Sequence, residues 1–179
     1  ALQIARQENL PYAVALALFN IADQYLIKKD FKRAEDYARD AFARSEALDD
    51  NWGMASARVN IGFALGGQGK IAQGAELVNQ GLQVFRKAHS SADVEAILGE
   101  LSLMYENAGM YKEALAVVRE QQKLSDEIFQ SDRTKAVALL QEQFDAEHRR
   151  KQIEILAKNN ALKDADIKNH RLQQVVTLL

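Results

Sequence analysis

Ile61-Gly62-Phe63-Ala64-Leu65, a glycine-rich turn Gly66-Gly67-Gln68-Gly69, then Ile71 and Gly74: this run decides the fold, because its pattern returns 40 residues to either side. Ile21, Ile61 and Leu101 fall in register, as do Ala22, Gly62 and Ser102, then Tyr25, Leu65 and Tyr105. Phe31, Ile71 and Tyr111 follow, each trailed three residues later by a small residue, Ala34, Gly74 or Ala114. The register runs off the front, where Ala41 and Gly81 align with Ala1. A fixed period in this range signals an all-α solenoid of stacked helical hairpins, since no unit can bury its apolar face alone. Such a stack offers a surface for holding a partner and disfavours a catalytic pocket.

Each unit reads as a first helix A carrying the apolar ladder, a turn, and a second helix B. The turns are Lys29-Asp30, Gly66 to Gly69, and Asn107-Ala108-Gly109. A large residue opens helix B, and the small one a turn later lets the two helices approach closely.

These residues resemble the tetratricopeptide repeat (TPR). Its Leu-Gly-x-x-Tyr pattern stands as Ile21-Ala22-Asp23-Gln24-Tyr25, Ile61-Gly62-Phe63-Ala64-Leu65 and Leu101-Ser102-Leu103-Met104-Tyr105. The helix-B alanines stand as Ala34 and Ala114, with Gly74 between them. The chain departs from the pattern at the Trp position (Leu18, Arg58, Leu98) and at the Pro position (Glu46, Arg86, Asp126). Its period also exceeds the usual ~34 residues. The resemblance implies three TPR-like repeats over 15–131, with residues 1–14 ending an earlier, truncated repeat, and it is similar to the lengthened repeat of bacterial sensory proteins.

Composition agrees. One proline and 7% aromatics in 179 residues favour helices over sheets. A net charge of -2 gives no basic field to recruit nucleic acid. The lack of cysteine excludes disulfides, thiolate catalysis and cysteine-ligated zinc. No apolar run reaches membrane-spanning length. The chain starts without Met and ends on Val175-Val176-Thr177-Leu178-Leu179, so both ends are expected to continue into something longer.

From Ser131 or Asp132, either a fair N-cap, no helix breaker occurs to the end. Residues 132–152 are expected to cap the array through Leu140 and Phe144, and 153–179 to form a coiled-coil or linker helix. Ile155, Leu162, Asn169 and Val176 recur every seven residues, with Lys158, Ala165, Leu172 and Leu179 three further on. An Asn at an a-type position sets register in a two-stranded coil, so a weak homodimer through this helix is expected; a helix folded back on the array is the alternative. The run Lys135 to Glu147, with Gln152 to Leu156 and Asn160-Ala161-Leu162, resembles the linker after TPR arrays in bacterial membrane-bound signalling proteins. That resemblance implies an adjoining membrane helix, then a diguanylate cyclase (GGDEF) or histidine kinase domain, and a periplasmic sensor region; a stand-alone scaffold, cytoplasmic or periplasmic, is the rival.

Several tempting signals lead elsewhere. Gly66 to Lys70 follows a helix rather than a strand, lacks P-loop spacing, and has Ile71 where a magnesium-binding hydroxyl belongs. His89, His148 and His170 are scattered, so no metal, cofactor or catalytic set is assigned. Arg149-Arg150-Lys151 has Glu147 and Glu154 as neighbours and reads as a solvated helix face.

In the TPR family helix A lines the concave face. The resemblance therefore places a partner-binding groove at Leu16, Phe19, Asn20 and Asp23, then Val59, Asn60 and Phe63, then Glu100, Leu103 and Glu106. Asn20 and Asn60 share one repeat position, and each amide either pairs with the backbone of an extended peptide or satisfies a neighbouring helix. Phe19 and Asp23 stand where the family's carboxylate clamp has Lys and Asn, which disfavours capture of a C-terminal carboxylate. Apolar pockets with acidic margins suit a partly basic, apolar protein or peptide segment.

Overall fold

The computed structural model describes residues 2–177, with side chains for 2–5 and 7–168. Seven helices follow one another: α1 (Leu2–Gln7), α2 (Pro11–Ile27), α3 (Phe31–Ala47), α4 (Asn51–Gly67), α5 (Ile71–Lys87), α6 (Ser91–Asn107) and α7 (Tyr111–Thr177). No strand occurs among the described residues. The chain divides into two units, Ala1–Ile128 and Phe129–Leu179.

The first unit is a helical repeat array. Successive helices pack as neighbours, and α4 also packs against both α2 and α6. Helices α2 to α6 each have 17 residues, so the backbone step is 20 residues, half the sequence period. The turns show the same step: Asn9, Lys29, Asp49, Gly69, His89 and Gly109 all adopt positive φ. After each, an N–H reaches back five residues, from Leu10 to the Ala5 carbonyl through to Met110 and the Tyr105 carbonyl, at 2.9–3.0 Å. This 6→1 bond satisfies a carbonyl that the helix end would leave orphaned. Asp30 and Asp50 then cap the next helix, accepting from the N–H of Arg33 and Gly53. Helix A accordingly begins at Pro11, Asn51 and Ser91, so the first starts four residues ahead of the expected boundary at residue 15.

The core follows the ladder. Leu18, Ala22 and Ile61 are buried, as are Leu98, Leu101, Val78 and Leu82. Val117 and Leu124 from the start of α7 pack against the cluster built by α4, α5 and α6. Ala34 and Ala114 are buried at the interhelix positions. Gly62 faces Gly74 so closely that a Cβ on Gly62 would lie 2.6 Å from the Gly74 carbonyl oxygen.

One expected boundary is corrected. No helix starts at Ser131 or Asp132; α7 runs through both. The 20-residue step would put the next left-handed residue at Phe129 and the next cap at Gln130. Every earlier turn carries a glycine, an asparagine, an Asp or a Ser at one of those two positions. Phe129-Gln130 carries none, and a bulky residue in the left-handed region costs about 1–2 kcal/mol, so the helix continues.

The second unit is helical from Phe129 to Thr177. Leu140 and Phe144, expected in a capping contact within 132–152, are 65% and 67% exposed. Ile155, Leu162 and Ala165 of the expected coil are exposed too. The side chains of Asn169, Leu172 and Val176 lie outside the described residues. Among the described residues no helix is long and apolar enough to cross a membrane.

Candidate functional site: an aromatic groove across the A helices

A cavity of about 1380 Å³ lies in the first unit, lined mainly by α2, α4 and α6. Side chains on one face of each A helix meet there because residues three and four apart share a face. The cavity exceeds the ~300–1,000 Å³ of small-molecule pockets. It has the size to hold a stretch of polypeptide.

Seven of the expected groove residues line it: Phe19 and Asp23 from α2, Val59, Asn60 and Phe63 from α4, Glu100 and Leu103 from α6. Leu16, Asn20 and Glu106 do not, and all three are exposed. The first half of α2 turns Val14 and Leu18 into a cluster with Ala5 and Ala41, and only the second half, from Phe19 on, faces the cavity. In the last turn of α6, Asn107 takes the lining position in place of Glu106, a change of one residue or about 100° around the helix.

The proposed asparagine ladder is reduced to one member. Asn20 is exposed, whereas Asn60 is 5% exposed and its Nδ2 has no hydrogen-bond partner. The difference follows from position in the stack: α4 is covered by a neighbouring A helix on both sides, α2 by α4 alone. A buried amide donor left unpaired costs about 1–3 kcal/mol. Asn60 therefore carries an unmet demand for an acceptor into the cavity wall.

The aromatic lining is richer than the helix-A positions indicated. Trp52, in the first turn of α4, meets Phe85 of α5 edge-on, with ring centroids 4.6 Å apart and planes at 87°. Both line the cavity, as do Phe31 and Ile71 from the starts of the B helices. The tryptophan was missed because helix A starts a turn earlier than expected. Phe85 was missed because it comes from helix B.

Three carboxylates, Asp23, Asp93 and Glu100, face one ammonium group, Lys29, around the cavity. Asp93 is held at the start of α6 by the Ser90 hydroxyl, which donates to its Oδ2.

Two glycines ahead of the turn serve packing, while Gly69 supplies its positive φ. Gly66 and Gly67 are helical, and a Cβ on them would strike Met104 and the Phe31 ring respectively. Gln68 donates from Nε2 to Glu35 Oε2 at 2.8 Å, and Arg39 donates to Oε1 at 2.9 Å. These bonds, the Gln68 bond foremost, hold the buried Glu35 carboxyl below its ordinary value of 4.5 against the opposing effect of burial. Among the described residues no group of three or more His, Asp or Glu side chains converges as a metal site. Comparison with protein-family models and with curated proteins finds no match to this chain.

Proposed function

We propose that residues 11–128 form a TPR-like module that binds an extended protein or peptide segment in the groove of α2, α4 and α6. The observation that carries this reading is Asn60, a buried and unpaired amide in the wall of a long cavity that spans three A helices. A peptide backbone presents acceptors and donors at regular spacing, and an amide side chain can meet either. Phe19, Val59, Phe63 and Leu103 supply apolar contact around it. In the same proposal the module is the sensor region of a bacterial membrane-anchored signalling protein. Its last helix passes the bound state to an output domain of diguanylate cyclase or histidine kinase type, because the sequence of 129–162 resembles the linker of such proteins.

The test uses degenerate pools of end-blocked peptides titrated against the chain. Phe19→Ala with Phe63→Ala should lower affinity by at least about tenfold, or 1.4 kcal/mol, with helicity by circular dichroism near wild type. Both side chains are only half-buried. Collapse of helicity in the double variant would make these residues core and overturn the assignment, as would unchanged affinity. For the relay, output activity of the full-length protein should change when such a peptide is added, and no longer change in the double variant.

A further inference from the structure

We infer that the segment bound in the groove carries a basic side chain, Lys or Arg, beside its apolar ones. The cationic group rests against the wall of the cavity that Trp52, Asp93 and Glu100 share, over the indole ring and within the field of the two carboxylates. The inference rests on the peptide-binding reading above and adds the chemistry of the occupant.

Trp52 keeps 44% of its surface exposed while Phe85 fixes its ring edge-on. A large aromatic side chain is thus held in one orientation with much of its surface open, and both rings line the cavity. Asp93 stands in the first turn of α6 and Trp52 in the first turn of α4, corresponding ends of two neighbouring A helices. Glu100 lies two turns further along α6 and lines the same cavity. The Ser90 hydroxyl engages one oxygen of Asp93 and leaves the other free. Lys29, the opposing charge, comes from the turn between α2 and α3.

A guanidinium or ammonium group gains from both neighbours here. It is attracted to the indole face by the ring quadrupole and to the carboxylates by a Coulomb term that grows as water leaves the groove. An acidic side chain would meet like charge here, which selects against it. Asn60 gives the independent sign that the groove is built for a ligand, because this residue of the cavity lining is 95% buried and its amide is unpaired. Rotated into the groove, the Asn60 amide would anchor the backbone of the segment while Trp52, Asp93 and Glu100 read its side chain.

Trp52 is the single tryptophan of the chain, so its emission reports occupation of this end of the groove. The experiment titrates the full chain with matched pools of end-blocked peptides that share their apolar positions and carry Lys and Arg, Gln, or Asp and Glu at the rest. The basic pool should bind at least about tenfold tighter than the Gln pool and change Trp52 emission, with the preference shrinking as salt rises. Asp93→Asn with Glu100→Gln should erase the preference and leave Gln-pool affinity near wild type. Asn60→Ala should weaken all pools alike. Equal binding of the pools, or a basic preference that survives the double substitution, overturns the inference and leaves the peptide groove standing. Failure of every pool to bind overturns both. Sedimentation of the same samples covers the remaining occupant: a dimer that dissolves on Phe63→Ala would place a second copy in the groove and overturn the inference.

Discussion

Gly62 and Gly74 set the closest approach of α4 and α5, and Ala34 and Ala114 hold the equivalent place in the hairpins on either side. A larger side chain at Gly62 has nowhere to go, because the opposing surface is the Gly74 backbone, and Ala34 and Ala114 are buried at the matching positions. Ala34→Leu or Ala114→Leu should therefore cost about 1–3 kcal/mol through overpacking, read as a lowered melting temperature. Unchanged melts would mean the helices do not meet there. Glu35 gives a second prediction at this scale. Its carboxyl is held below the ordinary 4.5 by hydrogen bonds from Gln68 and Arg39. The stabilisation from a lowered carboxyl is complete above the unfolded-state value and is lost as pH falls through the folded-state value. Melting temperature should thus fall more steeply in wild type than in Glu35→Gln as the pH drops below about 4.5. Parallel acid limbs would show that the network contributes nothing to the folded state.

At the scale of the element, α7 is decided by two residues. Phe129→Gly with Gln130→Ser restores a left-handed residue and an N-cap at the place where the 20-residue step calls for them. Glycine alone weakens a helix interior by about 1 kcal/mol, so amides of residues 131–133 should exchange at least about fivefold faster than in wild type. Protection equal to wild type would mean that something other than the missing stop signal sustains the helix there. The apolar ladder of the A helices was legible in sequence because apolar positions repeat by residue type: Ile21, Ile61 and Leu101 read as one position. The shorter backbone step was not. Its marker is a conformation adopted in turn by Asn9, Lys29, Asp49, Gly69, His89 and Gly109, and five residue types conceal a single φ. The candidate site divides along the same line. Phe19, Val59, Phe63 and Leu103 were found from a one-helix pattern, whereas the Trp52–Phe85 pair needs two helices to be placed first. Asn20 and Asn60 look alike in register, and only the flanking of α4 on both sides separates a solvated amide from a buried one.

At the scale of the whole molecule, the two units put different kinds of surface into water. The array buries its ladder between neighbouring hairpins. The helix of the second unit leaves Phe129, Val137, Ile153, Leu156 and Ile167 more than half exposed, along with the heptad residues Ile155 and Leu162. We expect this helix to self-associate weakly, since only about four heptads contribute and Lys158 interrupts the seam. Light scattering should show a concentration-dependent dimer, strengthened by Asn169→Leu and lost on truncation after Gln152. Monomers throughout at high concentration would remove the physical basis for a dimer-based relay.

The recurrence of one turn every 20 residues also acts as a ruler. Because each left-handed residue from Lys29 to Gly109, with its 6→1 bond, closes a helix of 17 residues, the chain can change size only in whole steps without retuning a turn. Excision of residues 51–90 would join Asp50 to Ser91 with the spacing intact, and α6 would follow α3 as α4 does now. The shortened stack would keep its turn grammar and lose Trp52 and Asn60 together. Length and groove chemistry are thus separable quantities in this architecture: hairpins can be added or removed in whole steps, while the Trp52 and Asn60 side chains of the groove belong to the one hairpin whose first helix has an A helix on both sides.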